Sequence, residues 1–367
     1  MNILLIGKYP PTQGGISSKT YWLFRELEKR GFDFRAVTVE TADYSIKGRE
    51  LNGSKTAIIN IKEIPWHIPE SALLSERIFI NAVKTAEAFK PDLIEVNYLW
   101  PFCMPAILVA NILRKPLVIR HAGSDIQKFY NDTEFADIMK AYFEKADIVV
   151  TNRTVKILIE KLFDNSGKLN CVRRYIPDPK IFKPESAEKK IDILFVGKIN
   201  YRWNLKGINH LLGLIKNRNL NALFLTGGKY KNEILELIEK TGTRNHIEEK
   251  DFISPEGMPS IYNSCKTVWC WDETGGVEDF SNIIWEALFC GTACIVNSET
   301  AERTSNEGVP KGLMPLICRT VPERLMDYEF ALKAITPSGL EQEKIALYDE
   351  YIESNVKLYE KLVKTTR

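Results

Sequence analysis

Apolar runs of strand length alternate along the chain with stretches whose apolar positions recur at helical spacing. Ile3–Gly7, Arg35–Val39, Ala57–Ile61, Asp92–Val96, Leu117–Arg120 and Asp147–Thr151 read as strands. Helical patterns run over Ile16–Arg30, Ser75–Phe89 and Glu134–Lys145. The series then restarts after the breaker cluster Ile176-Pro177-Asp178-Pro179 and the charged stretch Lys183–Lys190. Strands at Ile191–Gly197, Ala222–Thr226, Thr267–Trp271 and Thr292–Asn297 follow, and a long helical pattern, Leu340–Lys364, closes the chain. Strand–helix alternation predicts parallel sheets with helices on both faces. The expected fold class is therefore α/β, with two doubly wound domains facing across a cleft. Their expected bounds are 1–178 and 179–337, with 338–367 a terminal helix returning to the first domain.

Length supports this division. At roughly 100–200 residues per domain, 367 residues are too many for one compact core. A hydrophobic content of 44% and a charged content of 27% are those of a globular protein. The formal net charge of +2 argues against nucleic acid as a partner. The seven cysteines include no C-x-x-C pair and several lie in apolar runs, so buried free thiols in a reducing compartment are expected. The apolar N-terminus is too short for a signal peptide and lacks a basic region before it. The apolar stretch Leu99–Leu113 carries Pro101 and Pro105 and falls short of the ~20 residues of a membrane helix. It reads as a loop running into a buried helix. A cytoplasmic protein follows, with peripheral contact to the inner face of a membrane left open.

In open parallel sheets, ligands bind beyond the carboxyl ends of the strands, so residues just after strands are the candidates. After the first strand, Gly14-Gly15 opens a helix, where the backbone can approach a ligand and helix amides can meet an anion. The alternative is a plain glycine turn. No G-x-G-x-x-G and no Walker pattern occurs. His121, at the carboxyl end of Leu117–Arg120, can hydrogen-bond a sugar hydroxyl, although a lone histidine is more often structural. After Ile191–Gly197 come Lys198, Arg202 and Lys206, followed by Gly207 and a helix start. Fixed cations there would stabilise a departing diphosphate more in the transition state than in the ground state; a solvated basic loop is the plainer reading.

The most informative segment is Thr274–Ala287. Ser281 reads as a helix N-cap, with Phe280 and Trp285 spaced as a hydrophobic staple. Glu278 lies before the helix and Glu286 in its second turn, seven residues apart. One carboxylate can face a transferred sugar and the other a ribose diol, with the amides of Asn282 and Ile283 placed to meet a diphosphate. The four histidines are scattered and no D-x-D tripeptide occurs, so no metal and no other cofactor is expected.

Taken together, these segments resemble family 4 of the glycosyltransferases, retaining enzymes of the GT-B fold, over nearly the whole chain. Gly14-Gly15-Ile16 resembles the family's N-terminal glycine loop, and His121 to Asp125 its H-G-S-D element. Ile176-Pro177-Asp178 with Phe182 resembles P-N-G-V-D-x-x-x-F, and Val196-Gly197 to Lys206-Gly207 resembles V-G-R-x-x-x-x-K-G. Glu278 to Glu286, followed by Ala287-Leu288 and Gly291, is similar to the E-x-7-E motif. Three departures stand out. Lys198 occupies the usual Arg position ahead of a longer loop from which Arg202 can substitute, Asp279 replaces a small residue, and Ala122 replaces Gly.

The resemblance implies a nucleotide-diphosphate sugar as donor and an acceptor it does not name. It implies His121, Lys206 and Glu278 as catalytic residues. Gly14, Gly15, Lys198, Arg202, Phe280, Ser281, Asn282, Ile283 and Glu286 would bind the donor. By analogy the segment Tyr44–Ile80 would lie where acceptor loops fall. Nucleotide-sugar epimerases and phosphorylases on the same scaffold, and a catalytically inactive sugar-nucleotide-binding subunit, are the alternatives.

Overall fold

The computed structural model describes residues 1–40, 55–60, 70–121, 125–126, 133–151, 153–162, 166–172, 174–199, 203–228, 230–273, 281–334 and 339–366. The chain forms two compact units. One comprises Met1–Arg174 with Glu350–Arg367, and the other Tyr175–Gly276 with Phe280–Asp349.

In the first unit, strands β1 (Asn2–Gly7), β2 (Asp33–Glu40), β3 (Thr56–Asn60), β4 (Leu93–Asn97), β5 (Leu117–Arg120), β6 (Ile148–Thr151) and β7 (Leu169–Cys171) make one parallel sheet. Their order is β3-β2-β1-β4-β5-β6-β7. Helices α1 (Gly15–Lys29), α2 (Glu70–Phe89), α3 (Cys103–Leu113), α4 (Thr133–Lys145) and α5 (Arg153–Leu162) connect them. The core side chains, among them Leu4, Ile6, Val37, Ile94, Val96, Ile119 and Val149, come from runs buried on both faces of the sheet. That is why these strands read as continuous apolar stretches and not as alternating ones.

The second unit repeats the plan. Strands β8 (Ile191–Lys198), β9 (Ala222–Gly227), β10 (Ile247–Lys250), β11 (Cys265–Trp269), β12 (Ala293–Val296) and β13 (Ile317–Arg319) are parallel, in the order β10-β9-β8-β11-β12-β13. Helices α6 (Ile208–Arg218), α7 (Lys231–Thr241), α8 (Met258–Ser264), α9 (Asn282–Phe289), α10 (Ser298–Asn306) and α11 (Glu329–Leu332) belong to it. The terminal helix α12 (Glu341–Thr366) begins in this unit, and from Glu350 onward it belongs to the first.

Strand order locates the ligand edge in each unit. Successive strands first step outward on one side of the first strand and then resume on its other side, so the order reverses between β1 and β4 and again between β8 and β11. Such switch points open a crevice at the carboxyl ends of the strands. The apolar stretch Leu99–Leu113 differs from expectation: α3 buries Ala106, Val109 and Ala110 but leaves Met104, Leu108 and Ile112 exposed, with Trp100 exposed just before it. It is an outer-layer helix with an apolar solvent face, not a buried one. No helix among the described residues is long and apolar enough to cross a membrane. The cysteines are free thiols, buried except for Cys171.

Candidate active site

At the β1/β4 switch point, Gly14 is the N-cap of α1, in a left-handed conformation (φ 124°) that suits glycine. Gly14 has no side chain with which to cap the helix, and the first turn holds no acid. Asn97, at the end of β4, ties this loop down: its Oδ1 accepts from the Lys8 amide (2.6 Å) and its Nδ2 donates to Thr20 Oγ1 of α1 (2.9 Å). Since Thr20 lies level with the strand end, the turn before it projects beyond the sheet. Ser17 sits there, one turn from Thr20 on the same face. Its hydroxyl is buried with no hydrogen-bond partner among the described residues.

The next residue, Tyr98, is a non-glycine residue with φ 75°, a conformation that costs of order 1 kcal/mol and collects at functional sites. The Lys8 ammonium lies 3.2 Å from its ring centroid. On the adjacent strand, His121 follows β5 and is buried, with Nε2 2.7 Å from Thr151 Oγ1 at the end of β6. That contact holds the imidazole at the carboxyl edge of its own sheet.

In the second unit, Lys198 is the last residue of β8 and Lys206 ends the short turn Trp203–Lys206. The Lys206 backbone is pinned from below: Trp269 Nε1 donates to its carbonyl at 2.8 Å. Gly207 then caps α6 with φ 63° against the Trp271 indole, where a Cβ would come within 2.7 Å of the ring. Trp269 and Trp271 stack at 5.3 Å, and Trp271 Nε1 donates to Glu273 Oε1 (2.6 Å). The basic turn after β8 is thereby locked to the end of β11. The neighbouring helix α9 starts after Ser281, which occupies the N-cap without a side-chain cap bond. Neither α6 nor α9 has an acid in its first turn. The N-termini of α6 and α9 and two lysines therefore line one switch point, a combination suited to an anion.

Glu286 is buried one turn into α9. Its Oε1 accepts from the Tyr175 hydroxyl (3.1 Å) and its Oε2 from that of Tyr262 (2.8 Å). Burial pushes its carboxyl up to about 7, against the opposing pull of the two phenols. Trp285 is buried beside Phe289 in edge-on contact. Glu278, Asp279, Phe280, Arg202 and Ala122–Ser124 lie outside the described residues, as does most of the segment proposed for an acceptor. Among the described residues no group of His, Cys, Asp and Glu is placed to hold a metal ion.

Motif reading misses Asn97, Tyr98, Thr151, Tyr175, Tyr262 and the tryptophan pair. Only one of these carries a sequence signal: Glu95 and Asn97 are polar residues at alternate positions of an otherwise apolar strand.

Solved structures share the fold. The chain is similar to a sucrose-phosphate synthase from Thermosynechococcus elongatus (17% identity, TM-score 0.66, 99% of each chain covered). It is similar to the Anabaena protein HepE in complex with UDP and glucose (14%, TM-score 0.65, 100% of this chain and 99% of that one). It is also similar to a UDP-GlcNAc 2-epimerase from Methanocaldococcus jannaschii (14%, TM-score 0.56, 98% and 100%). The architecture is the GT-B fold. A family model for glycosyl transferases group 1 matches residues 178–306, and one described as glycosyl transferase 4-like matches residues 18–153. The chain belongs to the GT-B glycosyltransferases of the group 1 and family 4-like type. Comparison with curated proteins finds no match. Epimerases share the fold, and the two family matches favour transfer.

Proposed function

We propose that the protein transfers a sugar from a nucleoside-diphosphate sugar to an acceptor with retention of anomeric configuration. The observation that carries this reading is the Lys206–Gly207 turn, locked by Trp269 and Trp271 at the β8/β11 switch point beside the N-termini of α6 and α9. A departing diphosphate gains negative charge as the glycosidic bond breaks. A lysine and helix dipoles held rigidly at that place stabilise this charge without reorganising. Anabaena HepE, of the same fold, is known in complex with UDP-glucose, which supports a nucleotide-sugar donor here.

In this reading Lys206 is the principal leaving-group cation, with Lys198 and Arg202 sharing a second position. Asn282 and Ile283 offer backbone amides to the diphosphate, Glu286 takes the ribose diol, and Glu278 binds hydroxyls of the transferred sugar. In the first unit, Gly14 and Gly15 are the donor-binding candidates, and the helix they open carries Ser17, whose hydroxyl has no partner among the described residues. His121, oriented by Thr151, meets the sugar. The neutralising groups belong to the chain, so the reading needs no divalent metal.

The test is donor turnover by Lys206→Ala across uridine, guanosine and adenosine diphosphate sugars, with and without excess EDTA. Turnover should fall roughly a hundred- to a thousandfold, and chelator should leave the wild type unchanged. A variant keeping more than half of wild-type turnover would sink the assignment. Activity lost in EDTA and restored by magnesium would remove the metal-free reading. An inverted anomer in the product, read by NMR, would remove retention.

A further inference from the structure

Glu286 presents an uncommon arrangement for a ligand-binding carboxylate. It is buried on α9, and each of its oxygens accepts one phenol hydrogen bond, from Tyr175 in the segment entering the second unit and from Tyr262 at the end of α8. Both tyrosines are themselves buried. Burial raises the Tyr262 hydroxyl well above its ordinary value, and the neighbouring Glu286 charge raises it further, so this phenol stays a proton donor.

A carboxylate offers about four lone-pair positions, two on each oxygen. One phenol on each oxygen fills half of them symmetrically and fixes the plane of the group. The positions left, one per oxygen, are spaced for two adjacent hydroxyls. A vicinal diol supplies that pair. A single hydroxyl or an amide does not.

We infer that Tyr175 and Tyr262 are positioning residues that orient the Glu286 carboxylate toward the 2′,3′-diol of the donor ribose, and so make the site select ribonucleotides over 2′-deoxyribonucleotides. This rests on the assignment of Glu286 to the ribose made above. Tyr175 acts from the interdomain segment and Tyr262 from a helix packed behind the site; neither touches the nucleotide in this role. Removing one phenol frees the carboxylate to rotate, and the loss falls on the hydroxyl contacts, not on base or phosphate contacts.

The test uses the full chain at pH 8, where Glu286 is ionised. Calorimetric titration with UDP, GDP and ADP identifies the nucleotide that binds, and its 2′-deoxy analogue is then titrated alongside it. Wild type should prefer the ribonucleotide roughly ten- to a hundredfold, the value of a hydrogen bond to a charged group. Glu286→Gln should remove most of that preference. Tyr175→Phe and Tyr262→Phe should each cut it at least threefold while 2′-deoxynucleotide affinity stays within twofold. The double variant Tyr262→Phe with Glu286→Gln should show no further loss of preference beyond Glu286→Gln, and it serves as the folded reference if an isolated buried carboxylate destabilises Tyr262→Phe.

Phenylalanine variants that weaken both nucleotides equally, or leave the preference intact while Glu286→Gln abolishes it, would overturn the positioning role alone. Preference unaffected by Glu286→Gln, or no binding of any of the three diphosphates, would overturn the ribose assignment beneath it.

Discussion

Each unit buries a glutamate against a tyrosine, and the two solve the cost of burial differently. In the first unit, Glu95 of β4 is wholly buried and faces a guanidinium. Arg120 Nε lies 3.0 Å from Glu95 Oε1, and its Nη2 donates to Asn355 Oδ1 (2.9 Å) and to the Tyr359 hydroxyl (3.0 Å). Tyr359 in turn donates to Glu95 Oε2 at 2.6 Å. Burial alone would lower the Arg120 pKa, but the Glu95 charge outweighs it and holds the guanidinium firmly protonated. In the second unit, Glu286 has two phenols in place of a cation, and its carboxyl rises to about 7. Neutral donors satisfy lone pairs but do not neutralise charge. The first arrangement suits a fixed joint between α12 and the sheet. The second leaves a carboxylate incompletely compensated, as a ligand-binding group is.

The largest effect should come from breaking the first pair. Arg120→Met leaves Glu95 buried without a cation, at a cost of about 3–5 kcal/mol. Urea unfolding combined with amide exchange in β4 and β5 reads it. A loss below about 1 kcal/mol would show that Glu95 and Arg120 are no more coupled than a surface pair.

Next is the pH dependence peculiar to Glu286. Its carboxyl titrates at about 7 when folded, against 4.5 when unfolded. Between those values the folded state holds more protons, so stability falls as pH rises through this window. The contribution is fully present below about 4.5 and lost above about 7, a change on the order of 3 kcal/mol. Glu286→Gln should flatten the stability profile between pH 4.5 and 7. An unchanged slope in that variant would mean another group titrates there.

The smallest effect separates the roles of the tyrosines. Tyr359→Phe removes one donor from a carboxylate that keeps its guanidinium, so the cost should be about 1.5 kcal/mol with no new pH dependence. Tyr262→Phe, by contrast, removes a donor from a carboxylate without a cation and should move the Glu286 titration further up. Titration of both variants by differential scanning calorimetry between pH 5 and 9 compares them; equal pH profiles would erase the distinction between the two regions.

Strand–helix alternation was legible in the sequence because both sheets are buried on both faces. The apolar runs from Ile3 to Gly7 and from Ile191 to Gly197 therefore stand out, and β1 and β8 occupy those positions. Helix starts at Gly15 and after Ser281 were legible because cap and glycine chemistry is local. The family resemblance followed from short motifs whose spacing reflects single loop–helix turns. The exposed face of α3 was not legible, since an apolar helix reads alike whether it sits in a core or in an outer layer.

What the sequence determined by itself was thus the local and the periodic: the α/β class, the positions of turns after strands, and the residues Gly14, Lys206, Ser281 and Glu286 placed within them. What only the tertiary structure decided was pairing between residues far apart in the chain. Arg120 meets Tyr359, His121 meets Thr151, Trp269 pins Lys206, and Tyr175 and Tyr262 meet Glu286. No spacing rule encodes such contacts. The contacts of His121 and of Lys206 arise because a parallel sheet gathers the carboxyl ends of distant strands at one edge, and those of Glu286 and Tyr359 because helices pack buried polar groups against one another, where each must find a partner.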